Sequence, residues 1–504
     1  MIGVTTILKK TLHEDNSKAE TGAFWYGAGC STIIVFFAYL GVVCKSRIPE
    51  AHTILEVIRI RYGNVAHLSF TFLAVINNLL NTINMILGAS ATISFLTGIH
   101  IMASTFLLPL GVVLYTLVGG IKATFLTDYI HTFIILILCC WLTIKVLVSE
   151  HVGSIGGLYD LVVAAEERHY IDGNYGGSLL TMTSQQGIFF AIILLASNFG
   201  AVVMDTGYFL KAFAASPSAV VPGYVVGGIA YFSVPWCLGT IVGMASLGLE
   251  ALPIFPTYPR LMTSAEVTNG LALPYVAVAV AGKGGAVAVL LMTFMAVTST
   301  LSAQIMAVSS ILTFDIYRVY FNKHAGNKEV IRWGHFGVVI FGVVAAAFTA
   351  MFHYIGIDMG WTLYMLGVVT CPGVIPLIFT IIWRKQREKL AIDSEDTDEP
   401  PRSTQDDKSA SSTTVEAVND DTHRRWARYA LYWAVATFLG HWVLWPLPMY
   451  AAKYIFSREF FTAWTVVSLI WLFWTVLAVG FYPIWDGRQQ ILLVLRNLWK
   501  LVHA

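Results

Sequence analysis

Hydroxyl-bearing side chains crowd one long apolar stretch, TFMAVTSTLSAQIMAVSSILTFDIY at residues 293 to 317. Residues three and four apart share a face of a helix, so Ala296, Ser299 and Thr300 form one small, oxygen-bearing patch. Adjacent hydroxyls can replace part of the water shell of a hard cation such as Na⁺. The patch therefore indicates either a cation site or close helix packing, since Ser and Thr also bond the carbonyl one turn back.

Carboxamide side chains on a second apolar stretch suggest a solute site. Asn77, Asn81 and Asn84 lie at spacings of four and three, so they share one helical stripe. A carboxamide offers both donors and an acceptor, which suits a neutral solute such as urea. The alternative is hydrogen bonding between neighbouring helices, and the sequence leaves both interpretations open.

Two aspartates lie within or beside apolar runs, where an ionised carboxylate facing lipid at the bilayer centre would cost roughly 3 kcal/mol. Asp128 is followed one turn later by His131, and the pair predicts a cation-release site or a proton relay. An interfacial ion pair with Lys122 is the alternative. Asp205 is predicted to face protein or water in a structural or gating role, paired with a nearby tyrosine or with Lys211.

Polar and helix-breaking residues interrupt two further apolar runs. The first interruption consists of Ser197, Asn198, Phe199 and Gly200. It predicts an unwound segment whose freed backbone groups hold a solute. Gly367 and Pro372 mark a bend in a later run, either as part of a gate or as a simple proline kink.

The composition predicts a membrane protein. Of the 504 residues, 57% are hydrophobic and 12% are charged, and the mean hydropathy is positive. A net charge of +1 without a basic face argues against nucleic acid as a partner. Six cysteines without a CxxC pair indicate neither a disulfide framework nor a zinc site. The HExxH, GxSxG, Walker and GxGxxG motifs are missing, so we expect no enzyme, no cofactor and no use of ATP.

Apolar runs of about 20 residues predict eleven membrane spans. They lie at 24–44, 67–97, 101–119, 123–148, 186–210, 218–247, 275–313, 333–353, 358–383, 426–447 and 460–483. In the seventh run we expect the crossing part to begin after Lys283. Lysine and arginine gather in every second connection, which places the N-terminal end outside the cell.

These spans predict a domain organisation. It consists of an extracellular tail at 1–23, four spans at 24–148, an extracellular loop at 149–185, five spans at 186–383, a disordered cytoplasmic linker at 384–425, two further spans at 426–483 and a cytoplasmic tail at 484–504. Some secondary transporters pair a set of five helices with an inverted copy of itself. Only four spans precede the set of five, so the sequence predicts an all-α fold whose first repeat lacks its first helix.

Five sequence blocks resemble the sodium:solute symporter family and, within it, the urea active transporter branch of fungi and plants. They are GAFWYGAG at 22–29, EAHTILEVIRIRYG at 50–63, LYTLVGGIKATFLTDYIHT at 114–132, ASNFGAVVMDTGYFLKAFAASP at 196–217 and MAVTSTLSAQIMAVSSILTFDIY at 295–317. The resemblance implies an all-α polytopic membrane protein with a LeuT-type inverted five-helix repeat and two further C-terminal helices. It also implies a location in the plasma membrane and uptake of urea, with polyamines as further substrates, coupled to Na⁺ or H⁺.

The resemblance also implies roles for individual residues. Ala296, Ser299 and Thr300 look like the sodium-site residues of the family's eighth core helix. Asp128 looks like the aspartate associated with cation release, and residues 197 to 200 resemble the unwound, substrate-contacting centre of the sixth core helix. Because the family's first core helix would precede residue 22, the alternative function is a truncated, non-transporting fragment or membrane sensor.

Overall fold

A computed structural model describes residues 20–47, 53–374, 409–486 and 488 of the chain. The principal helices are α1 (Glu20–Arg47), α2 (Ile54–Thr97), α3 (Ile101–Leu147), α4 (Ile155–Glu166), α5 (Gln185–Met204), α6 (Thr206–Ala214), α7 (Pro217–Leu238), α8 (Ala272–Ser310), α9 (Asn327–Ile355), α10 (Met359–Thr370), α11 (Ser409–Phe438) and α12 (Arg458–Thr475). Wider helical turns at Gly239–Gly243, Ile311–Phe321, Leu439–Leu444 and Val476–Phe481 extend α7, α8, α11 and α12. Shorter helices are Met244–Leu249, Ser264–Thr268, Pro446–Ala451 and Tyr482–Asp486, with single turns at Tyr175–Gly177 and Cys371–Gly373.

Within the described ranges, ten helical segments are long and apolar enough to cross a membrane. They correspond to ten of the predicted spans, and the ninth prediction, at 358–383, is described only as far as residue 374. The third and fourth predicted spans appear as the separate membrane-length segments Ile101–Gly119 and Thr127–Leu147, and the short connection between them is also helical, so that both belong to α3. The sequence therefore predicted the approximate positions of these ten apolar segments, but not the helical connection between the third and the fourth.

Two glycines with positive φ bend the long helices α2 and α8. Gly63 has φ 82°, and Gly282 has φ 53°. A Cβ built at either position would have no neighbour within 4 Å, so the backbone conformation rather than crowding favours glycine there. The second bend lies next to Lys283, where we expected the crossing part of the helix to begin.

The helix break predicted at residues 197 to 200 is not found. These residues are helical within α5, and the chain leaves the helix only at Asp205, which has φ −82° and ψ 100°. The Oδ1 atom of Asp205 accepts a hydrogen bond from the backbone N–H of Gly207 at 2.9 Å. Aspartate is a favoured N-cap because it satisfies such an unpaired N–H, and this contact starts α6.

The predicted disordered linker at 384–425 also differs from the structure over its described part. Residues 409 to 425 are helical and belong to α11, whereas residues 384 to 408 lie outside the described ranges. Asp421 and Arg425 lie four residues apart, and opposite charges at this spacing support a solvated helix. The helix can therefore extend beyond its apolar segment although these residues are polar.

Aromatic rings fasten α1 against α7. The ring of Phe24 lies 5.2 Å from that of Phe232 and 5.8 Å from that of Trp236, both edge to face. On the same side, Ser31 Oγ and His441 Nδ1 are 3.0 Å apart, which joins α1 to the turn that follows α11. These buried contacts hold α1, α7 and the turn after α11 together on one side of the helix bundle.

Hydrogen-bonded charges also hold the connections that lie beyond the membrane-length helices. Arg260 donates two hydrogen bonds of 2.7 Å to the carboxylate of Glu266, and Thr263 caps the short helix that contains Glu266. Burial raises the pKa of Glu266, but the hydrogen bonds from Arg260 and Thr263 outweigh burial and lower it to about 2. Between two other connections, His169 Nε2 lies 2.6 Å from Glu250 Oε1, and both side chains are buried.

Candidate functional site

A cavity of about 610 Å³ lies between α1, α2, α3, α5, α6, α7, α8 and α10. This volume is within the range of small-molecule sites, about 300 to 1,000 Å³. The predicted site residues that line the cavity are Asn81, Asn84, Asp128, Asn198, Asp205, Ala296, Ser299 and Thr300. The predicted residues outside this lining are Asn77, Ser197, Phe199, Gly200, Gly367 and Pro372.

The hydroxyl of Ser299 and the carboxylate of Asp128 meet across the interface of α8 and α3. Ser299 Oγ donates a hydrogen bond of 2.5 Å to Asp128 Oδ1, and Asp128 Oδ2 lies 3.9 Å from the ammonium of Lys211. The hydroxyl of Thr300 instead donates to the Ala296 carbonyl at 2.9 Å, which is the backbone bond considered as the alternative for this patch. The cavity wall therefore carries a carboxylate and hydroxyl oxygens, the ligands that hard cations prefer.

The asparagine stripe of α2 divides between the cavity and the helix interface. Asn81 and Asn84 line the cavity, and Thr362 donates a hydrogen bond of 3.1 Å to Asn84 Oδ1, which links α10 to α2. Asn77 is buried, and its Nδ2 donates to the Ala201 carbonyl of α5 at 3.3 Å. Asn77 and Asn84 therefore both make hydrogen bonds between helices, and Asn81 and Asn84 are the two members of the stripe that a solute in the cavity could contact.

Of the four residues at 197 to 200, Asn198 lines the cavity. Its Nδ2 donates to Cys30 Sγ of α1 at 3.1 Å. Phe199 packs instead against Phe36, with ring centroids 5.8 Å apart. The structure therefore places one polar side chain of this segment where a solute could contact it.

Small residues on α5 and α10 let these two helices come very close. A Cβ built at Gly200 would lie 2.8 Å from the Thr370 carbonyl carbon, and one built at Gly367 would lie 2.3 Å from Ser197 Cβ. Pro372 lies in the single turn that follows α10. The structure thus gives Ser197, Gly200 and Gly367 a packing role, which small residues commonly have at helix interfaces in membranes.

Gln304 is a cavity residue that the sequence reasoning missed. Its Nε2 donates a hydrogen bond of 2.9 Å to Asp205 Oδ2, and the two side chains are only 3% and 6% exposed. The sequence had suggested a tyrosine or Lys211 as the partner of Asp205. The sequence could have indicated this residue, because Gln304 follows Thr300 by four residues and so lies on the same face of the helix.

Tyrosines from three helices provide another part of the cavity wall. They are Tyr26, Tyr208, Tyr224 and Tyr231. The hydroxyl of Tyr224 donates to the Tyr208 carbonyl at 2.8 Å, which ties α7 to α6. Tyrosine combines a large apolar ring with a polar hydroxyl, a combination suited to a small neutral solute. Tyr224 and Tyr231 lie seven residues apart on α7 and share a helix face, but their proximity to Tyr26 and Tyr208 on other helices could not be read from residue spacing.

Comparison with known proteins identifies relatives over most of the chain. Residues 19–394 match the sodium:solute symporter family. The probable urea active transporter 1 of Schizosaccharomyces pombe is 39% identical, over 95% of this chain and 81% of that protein. The urea active transporter of Saccharomyces cerevisiae is 36% identical, over 95% and 82% respectively. A urea-proton symporter of Oryza sativa subsp. japonica is 38% identical, over 72% of this chain and 52% of that protein.

A solved structure shares the fold. The substrate-bound outward-open state of a Na⁺-coupled sialic acid symporter superposes with a TM-score of 0.52 at 14% identity, covering 74% of this chain and 78% of the other. This likeness confirms the predicted all-α, LeuT-type class. Together with the ten membrane-length helices among the described residues, this shared fold shows that the protein is a multi-pass integral membrane protein. The match over residues 19–394 and the extent of the sequence identity show that the chain belongs to the sodium:solute symporter family.

Proposed function

We propose that this protein is an ion-coupled symporter that imports urea across the plasma membrane by alternating access. The proposal is carried by one observation: a single cavity contains both the Ser299–Asp128 pair and the carboxamides of Asn81 and Asn84. The pair offers oxygen ligands to a cation, and the carboxamides offer donors and acceptors to a small amide. The names of the relatives, which describe urea active transporters and a urea-proton symporter, support the same solute.

The coupling ion is Na⁺ or H⁺, and Asp128 takes part in either case. Hydroxyl and carboxylate oxygens together suit Na⁺, whereas the carboxylate alone suffices to carry a proton. The rice relative is named as a proton symporter, and the structural neighbour is Na⁺-coupled. The two cases differ in one measurable property, namely whether uptake requires Na⁺ at constant pH.

We do not extend the proposal to polyamines. The relatives' names mention urea alone. The alternative of a non-transporting fragment or membrane sensor also lacks support, since these relatives are named as transporters or symporters.

The proposed orientation follows from the distribution of basic residues. It places the loop at 149–185 outside the cell and the segment at 384–425 in the cytoplasm. Asp128, Lys211 and Gln304 then lie in the half of the membrane that faces the cytoplasm. In this orientation, a cation bound at Ser299 and Asp128 can be released inward together with the solute.

Uptake of labelled urea into proteoliposomes that contain the full chain tests the proposal. We expect accumulation above the equilibrium level when a Na⁺ or pH gradient is imposed, and its collapse when an ionophore dissipates the gradient. Replacing Na⁺ by an inert cation at fixed pH distinguishes the two ions. If urea uptake under either gradient is no faster than in protein-free liposomes, the proposal is refuted. If urea enters faster but only reaches its equilibrium level, whether or not a gradient is imposed, the protein is a passive channel.

A further inference from the structure

We infer that Gln304 supplies the hydrogen-bond acceptor for an NH₂ group of the substrate, and that Asp205 holds the Gln304 amide in the orientation this requires. The inference rests on the proposed transport of urea and adds a subsite to it. Urea has more N–H donors than acceptor oxygens, so a site that selects it needs acceptors aimed into the cavity.

The orientation of Gln304 follows from its bond to Asp205. Asp205 Oδ1 accepts from the backbone N–H of Gly207 at 2.9 Å, which fixes the carboxylate at the start of α6. The NH₂ group of the Gln304 amide donates to Asp205 Oδ2 at 2.9 Å, because a carboxylate oxygen accepts this hydrogen bond whereas the amide oxygen could not supply a donor. The amide oxygen, Oε1, therefore points away from Asp205.

Among the described residues, none donates a hydrogen bond to the amide oxygen of Gln304. Oε1 is buried and lacks a hydrogen-bond partner among the residues that the structure describes, although Gln304 lines the cavity. The nearby hydroxyls donate elsewhere, that of Thr300 to the Ala296 carbonyl and that of Ser299 to Asp128. A buried acceptor without a donor is unfavourable, and a ligand N–H that enters the cavity removes this penalty.

Two single substitutions change what Gln304 presents to the cavity. Gln304→Met keeps a similar size and removes the acceptor. Asp205→Asn keeps the N-cap, because asparagine also caps well, but its NH₂ then faces the Gln304 amide. In this variant the Gln304 amide oxygen must turn toward the new NH₂ group at residue 205, and the Gln304 NH₂ group then faces the cavity as a donor. We expect each change to raise the KM for urea by about 5- to 100-fold, while the half-saturating concentration of the coupling ion stays within about twofold.

A double substitution provides the rescue. In Asp205→Asn with Gln304→Glu, the new asparagine donates to one oxygen of residue 304, and the other oxygen again faces the cavity as an acceptor. The total charge is unchanged, and we expect the KM for urea to return to within about threefold of the wild-type value. Gln304→Glu alone sets two carboxylates against each other and should impair transport more than either other single change. Gln185→Met is the matched control, since Gln185 is exposed at the start of α5.

Each variant is measured by urea uptake in proteoliposomes, by binding of labelled urea to purified protein, and by thermal unfolding as a check of folding. If Gln304→Met keeps the wild-type KM and Kd, the Oε1 atom binds only water and the inference fails. If Gln304→Met and Asp205→Asn lose affinity but the double variant does not recover, Asp205 does not orient Gln304. Failure of the wild-type protein to bind or transport urea would instead overturn the proposed function itself.

Discussion

Replacing Ser299 by alanine tests the cation site most directly. The substitution removes a hydroxyl that lies 2.5 Å from Asp128 Oδ1 and leaves the helix backbone unchanged. In the proposed site the Ser299 hydroxyl oxygen is one of the ligands of the cation. A polar contact to a charged group contributes about 1.5 to 3 kcal/mol, and each 1.4 kcal/mol is a factor of ten in affinity. Because 21% of the Asp128 side chain is exposed, solvent screening places the expected loss near the lower end, about tenfold.

The assay is the initial rate of urea uptake as a function of Na⁺ concentration and of pH. With Na⁺ as the coupling ion, we expect Ser299→Ala to raise the half-saturating Na⁺ concentration about tenfold at constant pH. With H⁺ as the coupling ion, the change appears in the pH dependence of uptake. Ser310→Ala is the matched control, because that hydroxyl donates to Met306 of its own helix at 2.8 Å. Identical ion and pH dependence in the two variants would refute the cation site.

Three further predictions concern packing and charge. Gly367→Ala should lower the unfolding temperature in detergent, because its Cβ would lie 2.3 Å from Ser197 Cβ and overpacking costs about 1 to 3 kcal/mol. His169→Ala should lower that temperature as well, since it leaves the buried Glu250 without the ring nitrogen now 2.6 Å away. Glu266→Gln should destabilise the protein at neutral pH. The folded-state pKa of Glu266 is about 2 against a usual 4.5, so its contribution is present above pH 4.5 and is lost as the pH falls toward 2.

Each of these predictions has a control or an opposing outcome. Gly227→Ala adds the same methyl group to α7 where nothing lies within 4 Å, and it should leave stability unchanged or improve it. Arg168→Ala removes the exposed neighbour of His169 and should have little effect. For Glu266→Gln, unfolding temperatures measured from pH 7 to pH 3 should converge with those of the wild type. A constant difference over that range would contradict the assigned pKa.

The patch on α8 could be predicted because its members lie on one helix, where the spacing of three and four residues determines which side chains share a face. The contact between Ser299 and Asp128 could not, since the two residues are 171 positions apart and lie on different helices. Their proximity depends on how α3 packs against α8. A single sequence contains no direct signal for such packing.

The break between α5 and α6 illustrates the opposite case. The sequence Asp205-Thr206-Gly207 is typical of a helix start, yet the polar and helix-breaking residues at 197 to 200 led to the prediction of a break there. Two of these residues, Ser197 and Gly200, are small where α10 packs against α5, as the close approaches of Gly367 to Ser197 and of Gly200 to Thr370 indicate. Smallness at a helix interface and smallness at a helix break look alike until the neighbouring helix is known.

The contact between α5 and α10 limits how the molecule can move. At Gly200 and Gly367 the two helices are so close that not even one methyl group fits between them. Moving either helix closer to the other would make atoms overlap, so the contact favours movements in which α5 and α10 stay together. The chain leaves the helical conformation at Asp205, which is therefore the place where the backbone could change direction between α5 and α6. A change of access from one side of the membrane to the other would then swing α6, with Lys211, relative to a paired unit that carries Asn198.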